Sequence, residues 1–137
     1  LLTAIQNKGT FLNGKRIRVS NQKKLEKSHL SYNGINYPLQ KYTRGLKRLF
    51  SAVESRSSLS WIETIVHVCN GTADISLGGK GGIWEFAAAK IIVEEAGGIF
   101  TDYSGNPKFS QIRAPVATNG LLHNEVIEIL NTLEGKL

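Results

Sequence analysis

Apolar positions change period along this chain. The first third carries short runs broken by turn formers. Residues 3–6 and 16–19 read as strands, with Asn7-Lys8-Gly9 and Asn13-Gly14 between them. The Asn-Gly pair favours a tight hairpin. Leu30 to Tyr32 reads as a third strand, closed by Asn33-Gly34. Leu39, Tyr42, Leu46, Leu49 and Phe50 then fall on one face of a helix, with Lys41, Arg44, Lys47 and Arg48 largely off it. Ala52 to Ser55 reads as a short strand. Leu59, Ile62, Ile65, Val66 and Cys69 mark a second helix, stopped at Asn70-Gly71.

Ala73 to Leu77 has strand character and leads into Gly78-Gly79-Lys80-Gly81-Gly82. Trp84 to Ala96 is the strongest helix, with Trp84, Ala87, Ala88, Ile91 and Ile92 predicted as its packing face and Gly97-Gly98 as its stop. Ile99 to Tyr103 alternates like a strand, and Ser104-Gly105-Asn106-Pro107 turns the chain. Pro115 to Thr118 is a last strand. Leu122, Val126, Ile129, Leu130 and Leu133 mark a last helix. Strands and helices alternate after the hairpin start, so the fold class is α/β, a mixed β-sheet with flanking helices.

Composition bounds the reading. Of 137 residues, 41% are hydrophobic and 20% charged, an ordinary globular balance that suits one domain. No apolar run reaches the roughly 18 residues of a membrane span, so no membrane partner is expected. The chain contains no Met and begins with Leu1. It is therefore expected to be a fragment, a processed product or an excised domain. The single Cys69 excludes an intrachain disulfide and fits a reducing cytoplasm. In its apolar stretch it reads as core rather than nucleophile.

The net charge of +6 is unevenly spread. The first 56 residues hold 12 Lys and Arg against two Asp and Glu; the remainder holds five against nine. No aromatic interleaving, zinc finger or RNP-like motif accompanies the basic clusters, so a solvated face is favoured over a nucleic-acid footprint.

The chemistry-bearing residues are sparse. His29, His67 and His123 lack metal-ligand spacing. The Gly78–Gly82 run lacks the spacing of a P-loop; it reads as a connection that lets backbone approach something closely. Asp74 and Asp102 suit turns. Glu94 and Glu95 sit in the last turn of their helix, where exposure or pairing with a basic neighbour is expected. Glu85 differs: it lies in a helix first turn after the Gly-rich loop, where a carboxylate caps the helix or holds a hard cation. The residues alone do not compose a complete enzyme.

The run from Trp84 to Gly98, WEFAAAKIIVEEAGG, resembles the C-terminal signature of the inositol monophosphatase family. Phe11-Leu12-Asn13-Gly14, Arg56-Ser57, Ala73-Asp74 and Val116-Ala117-Thr118-Asn119 agree in order. The resemblance covers nearly the whole chain but only the C-terminal half of the family's proteins. It implies that residues 1–137 are the C-terminal half of a layered α/β sandwich, with the N-terminal metal- and phosphate-binding half absent.

By resemblance the activity is Mg²⁺-dependent hydrolysis of a small phosphomonoester, with no catalytic residue in this chain and the fragment inactive alone. The metal carboxylate falls on Glu85, where the family has Asp. The substrate-contacting positions fall on Leu59, Ser60, Trp61 and Gly78, where inositol-specific members have Gly-Thr-Ala and Glu. These departures point away from inositol, toward histidinol phosphate, a sugar phosphate or a nucleotide 3′-phosphate. The implied partners are the missing N-terminal half and, in a homodimer, a second copy. The alternative is a non-catalytic half that binds partners or scaffolds a dimer.

Overall fold

The computed structural model describes residues 1–108 and 113–133. The chain starts as an antiparallel meander of β1 (Leu2–Ile5), β2 (Gly9–Leu12) and β3 (Lys15–Ile17). Asn13 and Gly14 both take positive φ, 51° and 81°, as a two-residue type I′ hairpin requires. The hydrophobic pattern overlooks β2, because Gly9-Thr10-Phe11-Leu12 is short and glycine-led. Its anchors are tertiary. The Thr10 hydroxyl donates to the Ile92 carbonyl at 2.6 Å. The Glu95 carboxylate accepts the Asn7 and Gly9 N–H groups at 2.8 and 3.1 Å. Glu95 thus pins the β1–β2 turn rather than facing solvent or a cation, whereas Glu94 pairs with Lys90 at 2.5 Å as expected.

A second sheet has the order β5-β4-β6-β8-β7. It comprises β4 (His29–Tyr32), β5 (Ser55–Ser58), β6 (Ile75–Leu77), β7 (Ile99–Asp102) and β8 (Pro115–Thr118). The β4 strand runs parallel to β5 and β6, and β8 antiparallel to β6 and β7, so the sheet is mixed. Every residue of β6 and β8 is buried, because helices cover both faces.

On one face lie α1 (Asn36–Lys41), α2 (Thr43–Ala52) and α5 (His123–Leu130). Their core joins Leu46, Leu49 and Leu130 to Leu30, Ile75, Leu77 and Val116. On the other lie α3 (Trp61–Cys69) and α4 (Ile83–Glu95), where Ile65, Cys69, Phe86, Ala89 and Val93 meet Phe100 and Ala117. The small sheet packs on the far side of α4, giving four layers.

Several expectations shift in register. The helix anticipated from Leu39 to Phe50 breaks at Tyr42, whose φ and ψ of −121° and 32° leave the helical region while its ring packs on Tyr103 at 5.0 Å. The strand expected at Ala52–Ser55 lies at Ser55–Ser58, four residues without an apolar side chain, recruited by backbone pairing along β4. In α3 the buried set is Thr64, Ile65, Val68 and Cys69; Ile62 is 55% exposed and Leu59 precedes the helix. Leu133 is exposed beyond α5.

The largest correction concerns α4. Its buried residues are Phe86, Ala89 and Val93, while Trp84 is 82% and Ile91 52% exposed. The helix is apolar around most of its circumference, so periodicity could not choose a face. Its end matches expectation: Gly97 has φ 98°, Gly98 N–H donates to Val93 O at 2.9 Å and Gly97 N–H to Glu94 O at 3.0 Å, a Schellman stop.

Candidate functional site

Three parallel strands, β4, β5 and β6, end on the same side of the large sheet, and their loops meet there. Crevices at the carboxyl ends of parallel strands are where α/β folds place ligands. Asn33 joins the loops. Its N–H donates to Leu77 O at 3.0 Å, and its side-chain amide donates to Leu59 O at 2.8 Å. Leu59 N–H in turn donates to Tyr32 O at 3.1 Å. In the sequence Asn33-Gly34 reads only as a strand stop. Its bridging role became visible once β4 stood between β5 and β6.

The loop after β6 needs its glycines for contact. A Cβ on Gly79 would lie 1.7 Å from the Gly34 carbonyl oxygen, so two backbones touch there. A Cβ on Gly78 would lie 2.6 Å from Trp61 Cζ3 and 2.7 Å from Pro115 Cγ. The close approach expected of the Gly-rich run is therefore made to Gly34, Trp61 and Pro115.

Ser60 is the N-cap of α3. Its hydroxyl lies 2.6 Å from the Glu63 carboxylate, which also accepts Ser60 N–H at 3.0 Å. The Glu63 N–H donates back to Ser60 Oγ at 3.4 Å, completing a capping box. These bonds hold the Glu63 carboxyl below its ordinary range, the Ser60 hydroxyl bond contributing most. Trp61 follows as the first helical residue. Its indole meets the Phe86 ring edge-on at 5.9 Å and 74°. Phe86 packs on Phe100 at 6.5 Å, tying the cluster to β7.

Glu85 sits beside Phe86 in the first turn of α4 and is exposed. Its Oε2 accepts Gly82 N–H at 3.3 Å, the capping arrangement expected at a helix N-terminus. One carboxylate oxygen is thus held by backbone, and the other has no hydrogen-bond partner among the described residues. That fits a single donor to a hard cation. Among the described residues no group of three or more His, Cys, Asp or Glu side chains could hold a metal ion. Among the described residues Glu85 stands as a lone exposed carboxylate rather than as a member of a metal cluster.

The five positions converge in part. Trp61, Gly78 and the Phe86 neighbour of Glu85 form one contact cluster. Leu59 lies behind Asn33, and the Ser60 hydroxyl is committed to its cap. The other polar candidates are structural. Asp74 is buried, accepting from Ser20 Oγ at 2.5 Å and His29 N–H at 2.8 Å. Asp102 accepts the Ser104 and Asn106 N–H groups at 2.9 Å each, the turn role expected of it. Lys90 donates to Phe100 O at 3.3 Å. His67 lies 2.6 Å from Thr72 Oγ1, and His29 lies 2.6 and 2.8 Å from Ser55 and Ser57 hydroxyls.

The model of the inositol monophosphatase family matches residues 1–134. The chain belongs to the inositol monophosphatase family. A fructose-1,6-bisphosphatase/inositol-1-monophosphatase of Thermotoga maritima is 33% identical over 137 residues, covering 95% of this chain and 50% of that protein. A histidinol-phosphatase of Mycobacterium tuberculosis is 41% identical over 69 residues, covering 47% of this chain and 24% of that protein. Among solved structures, a Thermotoga maritima IMPase superposes with a TM-score of 0.83 at 30% identity over 95% of this chain and 50% of that one. An IMPase/NADP phosphatase solved with Mg²⁺ and phosphate shares the fold at a TM-score of 0.80 and 23% identity, covering 98% and 51%.

The chain spans about half the length of the curated relatives it matches over nearly its whole length. This inositol monophosphatase family fold carries no helix, among the described residues, long and apolar enough to cross a membrane.

Proposed function

We propose that this chain is the substrate-side, C-terminal half of a Mg²⁺-dependent phosphomonoester hydrolase of the cytoplasm. The observation that carries the reading is the free oxygen of Glu85, held beside the Trp61–Gly78–Phe86 cluster at the strand ends of an inositol-monophosphatase-family fold. Glu85 gives the metal one carboxylate oxygen while Gly82 N–H orients the other. When bound, Mg²⁺ supplies charge for the phosphoryl oxygens and a more acidic water. Trp61 and Gly78 form a wall for the leaving group, and the Ser60 cap fixes where α3 and its indole begin.

The remaining ligands belong to an N-terminal half. Two open features support its docking: the exposed Trp84, Ala88 and Ile91 row of α4, and the outer edge of β1, where Ile5 is 51% exposed. An unpaired strand edge and an apolar row both favour association.

Adding an N-terminal family half to this chain tests the reading. Mg²⁺-dependent release of phosphate is the expected outcome, with the chain alone inactive. Glu85→Ala should raise the Mg²⁺ requirement at least about tenfold, on the scale of a lost metal-site partner. Unchanged metal dependence would remove Glu85 from the site. The competing reading, a non-catalytic partner-binding or dimer-scaffold half, draws on the single carboxylate. It predicts a complex of the two halves without turnover.

A further inference from the structure

The chain carries four Asn-Gly pairs: Asn13-Gly14, Asn33-Gly34, Asn70-Gly71 and Asn119-Gly120. Each is chemically labile, because a following glycine has no Cβ to keep its nitrogen away from the asparagine side chain. The glycine nitrogen loses its proton to solvent and bonds to the asparagine Cγ. The Cγ–Nδ2 bond breaks and ammonia leaves. Water then opens the cyclic imide at either carbonyl, giving aspartate or isoaspartate. One water is taken up and one ammonia released, with no change of oxidation state. All four pairs share this chemistry, so the fold decides which of them reacts.

Three are locked. Asn119 is 3% exposed. Its Nδ2 donates to Ser20 Oγ at 3.0 Å and Gln22 O at 2.8 Å, and its Oδ1 accepts the Leu121 and Leu122 N–H groups at 3.1 and 3.2 Å. The Gly120 N–H is taken by Thr118 Oγ1 at 3.0 Å. At Asn70, the Thr72 N–H and hydroxyl donate to Oδ1 at 3.0 and 2.7 Å, and Gly71 N–H donates to Val68 O at 3.2 Å. At Asn33 the departing nitrogen itself donates to Leu59 O at 2.8 Å. Cyclisation at these three first breaks hydrogen bonds of a packed loop or a helix end.

Asn13 is different. It stands at the tip of the β2–β3 hairpin, exposed together with Gly14, and a Cβ on Gly14 would meet nothing within 4 Å. The Leu1 nitrogen donates to Asn13 Oδ1, and Asn13 N–H donates to Leu1 O at 2.8 Å. Asn13 Nδ2 and Gly14 N–H, the leaving and attacking nitrogens, have no hydrogen-bond partner among the described residues. Asn13 is held at φ 51°, a left-handed conformation that an L-residue adopts at a cost. Opening the tip relieves that conformation, and no core residue lies in it. Surface turns of this kind open most readily.

We propose that Asn13 is a spontaneous modification site, converting to aspartate and isoaspartate in the folded protein while Asn33, Asn70 and Asn119 stay intact. None of this depends on the phosphatase reading. The two products differ in consequence. Asp-Gly forms the same type I′ turn. Isoaspartate adds a backbone carbon to a turn whose flanking strands pair Leu12 with Lys15, so β3 loses its register.

The test uses the complete polypeptide as the cell makes it, aged in mildly alkaline buffer made with heavy-oxygen water and then digested for peptide mass spectrometry. Oxygen label should enter at Asn13 at least about tenfold faster than at each of the other three positions, the scale of one hydrogen bond broken beforehand. In denaturant the four rates should converge. An isoaspartyl methyltransferase with a labelled methyl donor should modify the aged wild type and leave aged Asn13→Gly unmodified, a variant whose Gly-Gly pair keeps the turn. Label entering Asn33, Asn70 or Asn119 as fast as Asn13 in the folded chain overturns the proposal. So does a folded-state Asn13 that takes up none, or methylation unchanged by Asn13→Gly. An Asn13 advantage that persists undiminished in denaturant also overturns it, because neighbouring residues rather than the fold would then set the order.

Discussion

Gly79 and Gly34 touch backbone to backbone, with the Gly34 carbonyl oxygen 1.7 Å from where a Cβ on Gly79 would stand. The contact brings the β6–α4 loop against the β4 terminus, and neither partner is a flexible side chain that could yield. Gly79→Ala should therefore cost about 3 kcal/mol or more, or prevent folding. Gly82, three residues on, has nothing within 4 Å of its Cβ position. Gly82→Ala should cost no more than about 1 kcal/mol, as a weaker helix cap. Thermal denaturation of the pair checks the contrast; equal losses would contradict the close approach.

His123 ties acid sensitivity to the sheet. It is buried between Thr101 Oγ1 at 2.9 Å and Thr118 Oγ1 at 3.0 Å, and burial lowers its pKa from 6.5 to about 4. The unfolded chain takes up this proton first on acidification. Stability from this group is thus complete above about pH 6.5 and falls as pH drops toward 4, by up to about 3 kcal/mol at 1.36 per unit. Urea unfolding at pH 7, 6 and 5 should show wild type losing more stability than His123→Gln across that interval. Parallel curves would show that His123 does not couple folding to protons there.

Cys69 should behave as core. Desolvation pushes its thiol up to about 12, and its Sγ lies 3.8 Å from Ile92 O between α3 and α4. A buried thiol with so little thiolate is a poor nucleophile. A thiol reagent at pH 8 should label it only in denaturant, with mass spectrometry as the readout. Rapid labelling of the folded chain would place the α3–α4 contact in exchange with an open form.

Ser76 is the opposite case, a polar group the fold tolerates. Its Oγ is buried in β6 without a hydrogen-bond partner among the described residues. Ser76 neighbours Ser31 and Ala117 in register, small residues beneath α3 and α4. Removing an unpaired buried hydroxyl relieves its desolvation, so Ser76→Ala should raise stability by about 1 kcal/mol. A fall in the urea midpoint would mean the hydroxyl has a partner, such as an ordered water.

Local signals account for much of the fold. The Asn13-Gly14 hairpin, the Gly97-Gly98 stop, the β4, β6, β7 and β8 strands and the Glu85 cap each rest on one to four neighbouring residues whose chemistry leaves few options. The Trp84–Gly98 signature pointed to the inositol monophosphatase family for the same reason: helix propensity, small residues and paired glycines are consecutive in the chain.

Other features depended on what came to lie alongside. Ser55–Ser58 is a strand because β4 offers it a backbone edge, not because its side chains ask for one. The buried side of α4 was decided by two competing layers, since a helix apolar nearly all round carries no directional preference of its own. Gly78 could be read as flexible in the chain; only the arrival of Trp61 and Pro115, from α3 and β8, makes it a position with no room for a side chain. Hydrogen bonds and turn geometry act over a few residues, so their record stays local. Packing acts between residues far apart in the chain, and its outcome exists only once the layers have closed.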